Sequence, residues 1–244
     1  LPVAIGLLWF PFLVQLSSKS MDFLLALTVG LLVFLFIDGS HDGLELAAAL
    51  PESFQGVTLF ILAAAGAFLL LEAVSGWLRV RRYRSTTESS NSAWVLAFLI
   101  AIGIGLHNFA EGLAIGSAFA LGEATFGALL IVGFTLHNTT EGLAIVAPLA
   151  RAHVPVRVVR LIQLGLIGGL PTIAGAWLGG FVYSPVWSVF FLAFGVGAIG
   201  QVVTQVIRQI VGAKPVVGEL ASVPVLGGLV AGCAVMYVTG MIVG

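Results

Sequence analysis

Two stretches decide how this chain is organised: GIGLHNFAEGLAI at residues 103–115 and GFTLHNTTEGLAI at residues 133–145. They are identical at nine of thirteen positions and begin thirty residues apart. Each stretch places a histidine, an asparagine and a glutamate in a long apolar run, and residues three or four apart share one face of a helix. Two such helices packed together would bring six polar side chains into one place. These side chains are His107, Asn108, Glu111, His137, Asn138 and Glu141.

Carboxylates in such apolar surroundings carry a large free-energy cost. One ionised side chain at the centre of a bilayer costs roughly 3 kcal/mol on insertion scales, and Glu111 and Glu141 at the same depth would also repel each other. A divalent cation between them would cancel both charges, with neutral imidazoles as further ligands. Histidine together with carboxylate suits zinc and other first-row divalent ions. The motifs therefore predict an intramembrane metal site, and the alternative is a polar pair that only joins two helices.

The composition excludes an ordinary soluble domain. Of the 244 residues, 59% are hydrophobic and only 9% are charged, and the mean hydropathy is strongly positive. These values are typical of an all-α, polytopic membrane protein. The 31 glycines are expected where transmembrane helices pack closely. The single cysteine, Cys233, permits no disulfide within the chain, so we expect it to be a small packing residue.

Polar breaks divide the chain into eight apolar segments, which we interpret as eight transmembrane helices of one domain, residues 1–244. The segments are approximately 1–16, 23–50, 56–78, 93–121, 124–149, 158–182, 186–210 and 223–243. The first of them is short for a membrane span.

The basic residues predict the orientation of these segments. All ten lie in or beside the connections that follow the first, third, fifth and seventh segments. The positive-inside rule makes those connections cytoplasmic, which places both termini outside a cell membrane, either plasma or inner. A wrong segment count would have scattered the charges. The ten residues are Lys19, Arg79, Arg81, Arg82, Arg84, Arg151, Arg157, Arg160, Arg208 and Lys214.

The second segment ends in a cluster of polar residues in its outer half. They either form an entry vestibule that attracts cations or belong to a polar helix end that reaches water. Asp38 is the deepest of them and the best candidate for a transport path. The cluster consists of Asp38, His41, Asp42 and Glu45.

The seventh segment carries Gln201, Gln205 and Gln209, which are four residues apart along one face. Neutral amides can hydrogen-bond across helices at low cost, so these side chains either line the transport path or pack helices together. Glu72 in the third segment lies close to an arginine-rich connection. We expect it to pair with Arg79 or a neighbouring loop charge rather than to bind metal.

The HNFAEG and HNTTEG motifs resemble those of the ZIP (Zrt/Irt-like) family of divalent metal transporters, whose fourth and fifth helices carry H-N-x-x-E-G or close variants. The resemblance covers essentially the whole chain, since the helix count, the outside termini and the motif positions agree. It implies an inverted repeat of helices 1–3 and 6–8 around helices 4 and 5. It also implies a primary metal position made by His107, Glu111 and Glu141. Neighbouring ligand positions would be filled by Asn108, His137 and Asn138.

The chain departs from the family pattern at a second, adjacent metal position. Asn138 stands where a carboxylate is often found, and the glutamate of the family's S-E-P stretch is replaced by Leu170. The acids of an E-L-I-P-E-like stretch are replaced by Gln205 and Gln209. These losses favour one metal position over two.

The sequence therefore predicts a transporter, not an enzyme, that moves divalent metal, first of all Zn²⁺, towards the cytoplasm by alternating access. The expected partners are metal ions and membrane lipid, with a homodimer as one assembly and with no nucleic acid. One alternative is an intramembrane zinc enzyme, although the chain lacks an H-E-x-x-H pair. The other is a metal sensor that binds ions without moving them.

Overall fold

The computed structural model describes residues 2–83, 89–120, 122, 124–181, 184–212 and 215–243. Inside these ranges the description leaves out the side chains of residues 78–83, 89–92, 114, 118, 125, 126, 129, 130, 132, 133, 136, 137, 216, 242 and 243. The described chain is all-helical and contains no strand. Its helices are α1 (Pro2–Leu7), α2 (Phe10–Leu13), α3 (Ser18–Ala48), α4 (Gly56–Tyr83), α5 (Ser89–Ala120), α6 (Ala124–Arg151), α7 (Val158–Phe181), α8 (Pro185–Val211), α9 (Val216–Leu220) and α10 (Val223–Val243).

Six helices in the described part of the chain are long and apolar enough to cross a membrane, and they lie in α3, α4, α5, α7, α8 and α10. The all-α prediction is confirmed, and these helices are compatible with a transmembrane protein. The helix that carries the second motif, α6, has 28 residues but is not one of the six. The side chains of several residues in α6 lie outside the description.

The first predicted segment was expected to form one helix, but in the structure it forms two short helices, α1 and α2. Pro11 has no backbone N–H and cannot continue the hydrogen bonding of α1. The chain instead makes tight turns in which the Trp9 amide donates to the Gly6 carbonyl and the Phe12 amide donates to the Trp9 carbonyl. An apolar pattern of this length predicts burial but does not reveal such a break.

The helices pack around a shared apolar core. The most extensive packing joins α5 with α7, α3 with α10, and α4 with α8, while α1 lies against α6 and α7. The core includes Leu32 from α3, Ile104 from α5 and Leu149 from α6, all of them fully buried. Large apolar side chains on the outside, such as Leu69 and Trp177, are exposed. Such an exterior suits contact with lipid better than contact with water.

The glycine that ends each motif permits one close helix approach. A Cβ atom on Gly112 of α5 would overlap the backbone of α7 at Thr172, and one on Gly142 of α6 would overlap the backbone of α1 at Val3. Small residues at such positions allow transmembrane helices to approach closely. In each motif the glycine after the glutamate thus allows a neighbouring helix to pack closely, α7 at Gly112 and α1 at Gly142.

We expect Gly112→Ala and Gly142→Ala each to destabilise the protein by about 1–3 kcal/mol, as overpacking does in tightly packed cores. The measurement is thermal unfolding of the purified protein in detergent. Gly66→Ala on α4 is the matched control, because a Cβ atom there meets open space. Equal stability of all three variants would contradict the close-packing argument.

Candidate functional site

Two glutamates from different helices face one histidine. The Nε2 atom of His107 lies 2.8 Å from Oε1 of Glu111, one turn further along α5. The same nitrogen lies 3.9 Å from Oε1 of Glu141 on α6. All three side chains are buried. The sequence-based expectation that these two acids share one place in the fold therefore agrees with the geometry.

Two asparagines surround this group, and their hydrogen bonds determine how their amides are oriented. Asn108 Nδ2 donates to the carbonyl oxygen of Gly168 on α7 at 2.8 Å. Asn138 Nδ2 donates to Oε2 of Glu111 at 2.9 Å. A carbonyl and a carboxylate can only accept, so the nitrogen of each amide must be the atom that faces them. The oxygen of each amide consequently points elsewhere.

Those two amide oxygens and the Glu141 carboxylate form a set of buried acceptors. Neither Asn108 Oδ1, Asn138 Oδ1 nor either oxygen of Glu141 has a hydrogen-bond partner in the described part of the chain. Asn108 is a hydrogen-bonding neighbour of Glu141 and Glu111 repels it, but neither Glu141 oxygen accepts a bond of normal geometry. An unsatisfied buried acceptor costs about 1–3 kcal/mol, and a charged one costs more. Such a concentration of acceptors without donors is suited to a cation.

The surrounding helices bury this group, and Asn138 also lines a cavity of about 320 Å³ beside α1, α6 and α7. The backbone of α7 lies directly against α5 at Gly105 and Gly112, which lets Asn108 reach the Gly168 carbonyl. On another side of α5, Gly195 of α8 lies so close that an added Cβ atom would overlap the side chain of Ala110. His107 falls near the middle of the apolar stretch Ala93–Ser117. The site is therefore held in the interior of the helix bundle.

Five of the six predicted motif residues are thus brought into one buried region, namely His107, Asn108, Glu111, Asn138 and Glu141. The side chain of the sixth, His137, lies outside the described residues. Sequence reasoning did not anticipate that the Asn138 amide would hold Glu111 in place. It also overlooked the part that Gly112 and Gly142 play, although both stand next to the glutamates in the repeated E-G pair.

The predicted vestibule residues lie apart from this region. Asp38, His41 and Asp42 are exposed on α3, and Nδ1 of His41 is 3.3 Å from Oδ1 of Asp42. None of the described hydrogen bonds or ion pairs joins them to His107 or the two glutamates. Their exposure agrees both with a cation-attracting entrance and with a polar helix end.

The glutamines of α8 form a chain of hydrogen bonds that joins α8 to α4. Gln205 donates to Gln201 at 2.9 Å, and Gln201 donates to Glu72 at 3.3 Å. Glu72 also pairs with Arg208 at 2.7 Å. The partner that the structure gives Glu72 is thus an arginine of α8, while the Arg79 side chain lies outside the description. The contact between Gln201 and Glu72 joins α8 to α4, as the packing alternative for these glutamines requires.

An ion pair joins Asp22 and Arg151, and no sequence pattern predicts it. Asp22 begins α3, Arg151 ends α6, and the two side chains are in direct contact with Asp22 buried. Arg151 also donates to the carbonyl oxygen of Gln209 on α8. The sequence indicates only that Arg151 belongs to a basic, cytoplasmic connection. No local pattern predicts that residues 129 positions apart meet.

The described side chains contain no group of three or more His, Cys, Asp or Glu residues already arranged to hold a metal ion. No model of a known protein family matches this chain. What the site can do must therefore be inferred from its own chemistry, which combines one imidazole, two carboxylates and two amide oxygens.

We expect Glu141→Gln to stabilise the metal-free protein by about 1–3 kcal/mol, because it removes a buried charge whose oxygens lack donors. The measurement is thermal unfolding in detergent with a chelator present. Glu52→Gln is the matched control, since Glu52 is exposed and should change little. A loss of stability in Glu141→Gln would instead mark the glutamate as a structural contact between helices.

Proposed function

We propose that this chain is a ZIP-like carrier for divalent metal ions, with Zn²⁺ as the first candidate cargo, and that it moves ions towards the cytoplasm. His107, Glu111 and Glu141 bind the ion in the interior of the bundle. Asn108 and Asn138 supply amide oxygens at its edge, and His137 of the second motif is a further ligand. Nothing in this mechanism requires a chemical reaction, so the protein is a transporter and not an enzyme.

The observation that carries this proposal is the set of buried oxygens without donors. A pair of glutamates that served only to join two helices would be satisfied by hydrogen bonds, as buried polar groups generally are. Here Asn138 satisfies one oxygen of Glu111, whereas neither oxygen of Glu141 accepts a hydrogen bond of normal geometry from the described side chains. A doubly charged ion would neutralise both acids and use the free oxygens as ligands.

The distances are compatible with one shared ion. Two ligands bound to one tetrahedral zinc ion at the usual bond lengths lie roughly 3.4 Å apart. The separations from His107 Nε2 to the two carboxylates are 2.8 and 3.9 Å, on either side of this value. Each of these two separations differs from that value by roughly half an ångström.

The donor set favours borderline first-row ions and gives no advantage to soft ones. Imidazole with carboxylate and amide oxygens suits zinc, iron and manganese, while thiolates would favour Cu(I). Asn138 is a neutral amide whose nitrogen donates to Glu111. It therefore adds no negative charge that could balance a second ion. This arrangement supports one ion position, in line with the acids that the sequence lacks.

The pairing of helices supports eight spans arranged as an inverted repeat. If α1 with α2 counts as one span and α6 as another, the six apolar helices become eight. Exchanging the first three spans with the last three, and α5 with α6, converts the α5–α7 packing into α6–α1. The same exchange converts α3–α10 into α8–α4, and all four of these pairs are in contact. The two motif glycines, Gly112 and Gly142, are related by the same exchange.

Alternating access then follows from two groups of helices. One group consists of α5 and α6, which carry the proposed ligands, with α1 and α7 packed on them. The other group consists of α3, α4, α8 and α10. Sliding of one group against the other would open the site to each side in turn. Arg151 joins the two groups through Asp22 and the Gln209 carbonyl, so this contact must be exchanged during the movement.

The direct test is uptake of radioactive zinc into vesicles that contain the purified protein. We expect Glu111→Gln and Glu141→Gln each to lower the initial rate by at least about tenfold, because even changes beside metal ligands cost 10–100-fold. Glu52→Gln is the control with the same chemical change at an exposed position, and it should transport normally.

Two other outcomes would contradict the proposal. Equal uptake by wild type and both variants would remove the site from the transport path. Zinc binding that depends on Glu111 and Glu141, measured by calorimetry, but without uptake by the wild type would identify a sensor. In that case the same residues would bind the ion and the proposed movement would be absent.

A further inference from the structure

A cavity lies between the beginnings of α5 and α7, away from His107 and the two buried glutamates. It has a volume of about 990 Å³ and is open on one side. We call it the arginine pocket and define it by Trp94 and Phe98 of α5 with Arg157, Arg160 and Leu166 at and after the start of α7. Nothing in the proposed transport mechanism uses these residues.

The rim of the arginine pocket is positively charged. Arg157 and Arg160 both line it and are exposed, while no carboxylate lines it in the part of the chain that the structure describes. The guanidinium carbon of Arg160 lies 5.7 Å from the ring centroid of Trp94, which holds this cation over the pocket. These features together favour a phosphate group.

The rest of the pocket is apolar and belongs to the lipid-facing exterior. Phe98 is 42% exposed and Leu166 is 53% exposed, and both line the cavity below the arginines. The apolar stretches of α5 and α7 begin at Ala93 and Val158, so the arginines lie at their boundary. Tryptophan and arginine are typical of this level of a membrane protein. A ligand here would have its charge at the rim and its apolar part along Phe98 and Leu166.

We propose that the arginine pocket binds an anionic phospholipid, with the phosphate between Arg157 and Arg160 and an acyl chain against Phe98 and Leu166. Basic pockets between membrane helices at the cytoplasmic surface are suited to such headgroups, and the positive-inside rule places these arginines on that side. A soluble phosphate would use the arginines but would leave the apolar wall bare. The lipid uses both halves of the cavity.

The position of the pocket gives the lipid a structural role. Trp94 and His107 lie thirteen residues apart on one helix, which corresponds to about 20 Å. A lipid in the pocket would bridge the beginnings of α5 and α7, the two helices with the most extensive mutual packing. It would brace the helix that carries His107, Asn108 and Glu111. This inference does not depend on which ion the chain carries, or on whether it carries one.

The experiment measures which lipid remains bound after detergent-solubilised protein is equilibrated with equal amounts of phosphatidylglycerol and phosphatidylcholine. We expect native mass spectrometry to find phosphatidylglycerol on the wild type in several-fold excess. Arg157→Gln and Arg160→Gln should each lower the bound fraction by about fivefold, which corresponds to the attraction of one basic residue near an anionic surface. Arg160→Lys keeps the charge but loses the planar fork, so it should lie between wild type and Arg160→Gln.

Lys19→Gln is the matched control, because it removes one exposed positive charge outside the pocket. An equal loss of lipid in this control would overturn the proposal in favour of diffuse attraction. Equal retention of both lipids by the wild type would do the same. Displacement of the lipid by millimolar glycerol phosphate would show that only the phosphate is recognised, and this result would overturn the proposed acyl-chain contact. Unchanged elution and helicity of the arginine variants would exclude unfolding as the cause of any loss.

Discussion

The structure depends on keeping two carboxylates, Glu111 and Glu141, in the interior of a helix bundle. Their burial is costly because water is excluded and few donors are present. Both acids face the Nε2 atom of one histidine, at 2.8 and 3.9 Å. The surrounding helices can approach closely enough to hold them there only because glycine follows each glutamate, where α7 presses on α5 and α1 presses on α6. The chemistry of the site and the packing of the helices are therefore parts of one arrangement.

Charges elsewhere in the molecule are treated differently, and the contrast identifies the unusual region. Asp22 is paired with Arg151, and Glu72 is paired with Arg208. The first pair joins the beginning of α3 to the end of α6, and the second joins α4 to the last turn of α8. Each pair balances its own charge. In the centre of the bundle the described residues include no Lys or Arg beside Glu111 and Glu141, and an amide is the donor to Glu111. In the proposed mechanism a mobile cation balances the charge of the two carboxylates.

The two asparagines of the repeated motif make different hydrogen bonds. Asn108 donates to the backbone of α7, whereas Asn138 donates across to Glu111. The first asparagine therefore anchors a helix, and the second orients a carboxylate. Asparagines at the same motif position thus have different partners, because α5 packs between α6 and α7, whereas α6 packs against α5 and α1. Both nevertheless leave an amide oxygen without a donor in the described region.

The sequence by itself determined the helical class, the approximate bounds of the long helices and five side chains that the structure buries together. Local physics was sufficient for these, since hydrophobic runs predict helices and a spacing of four places His107 and Glu111 on one face. Only the tertiary structure decided that Asp22 meets Arg151, that Glu72 meets Arg208, and that Gly112 and Gly142 receive neighbouring backbones. These features depend on contacts between residues far apart in the chain, and no local pattern records which helix faces will meet.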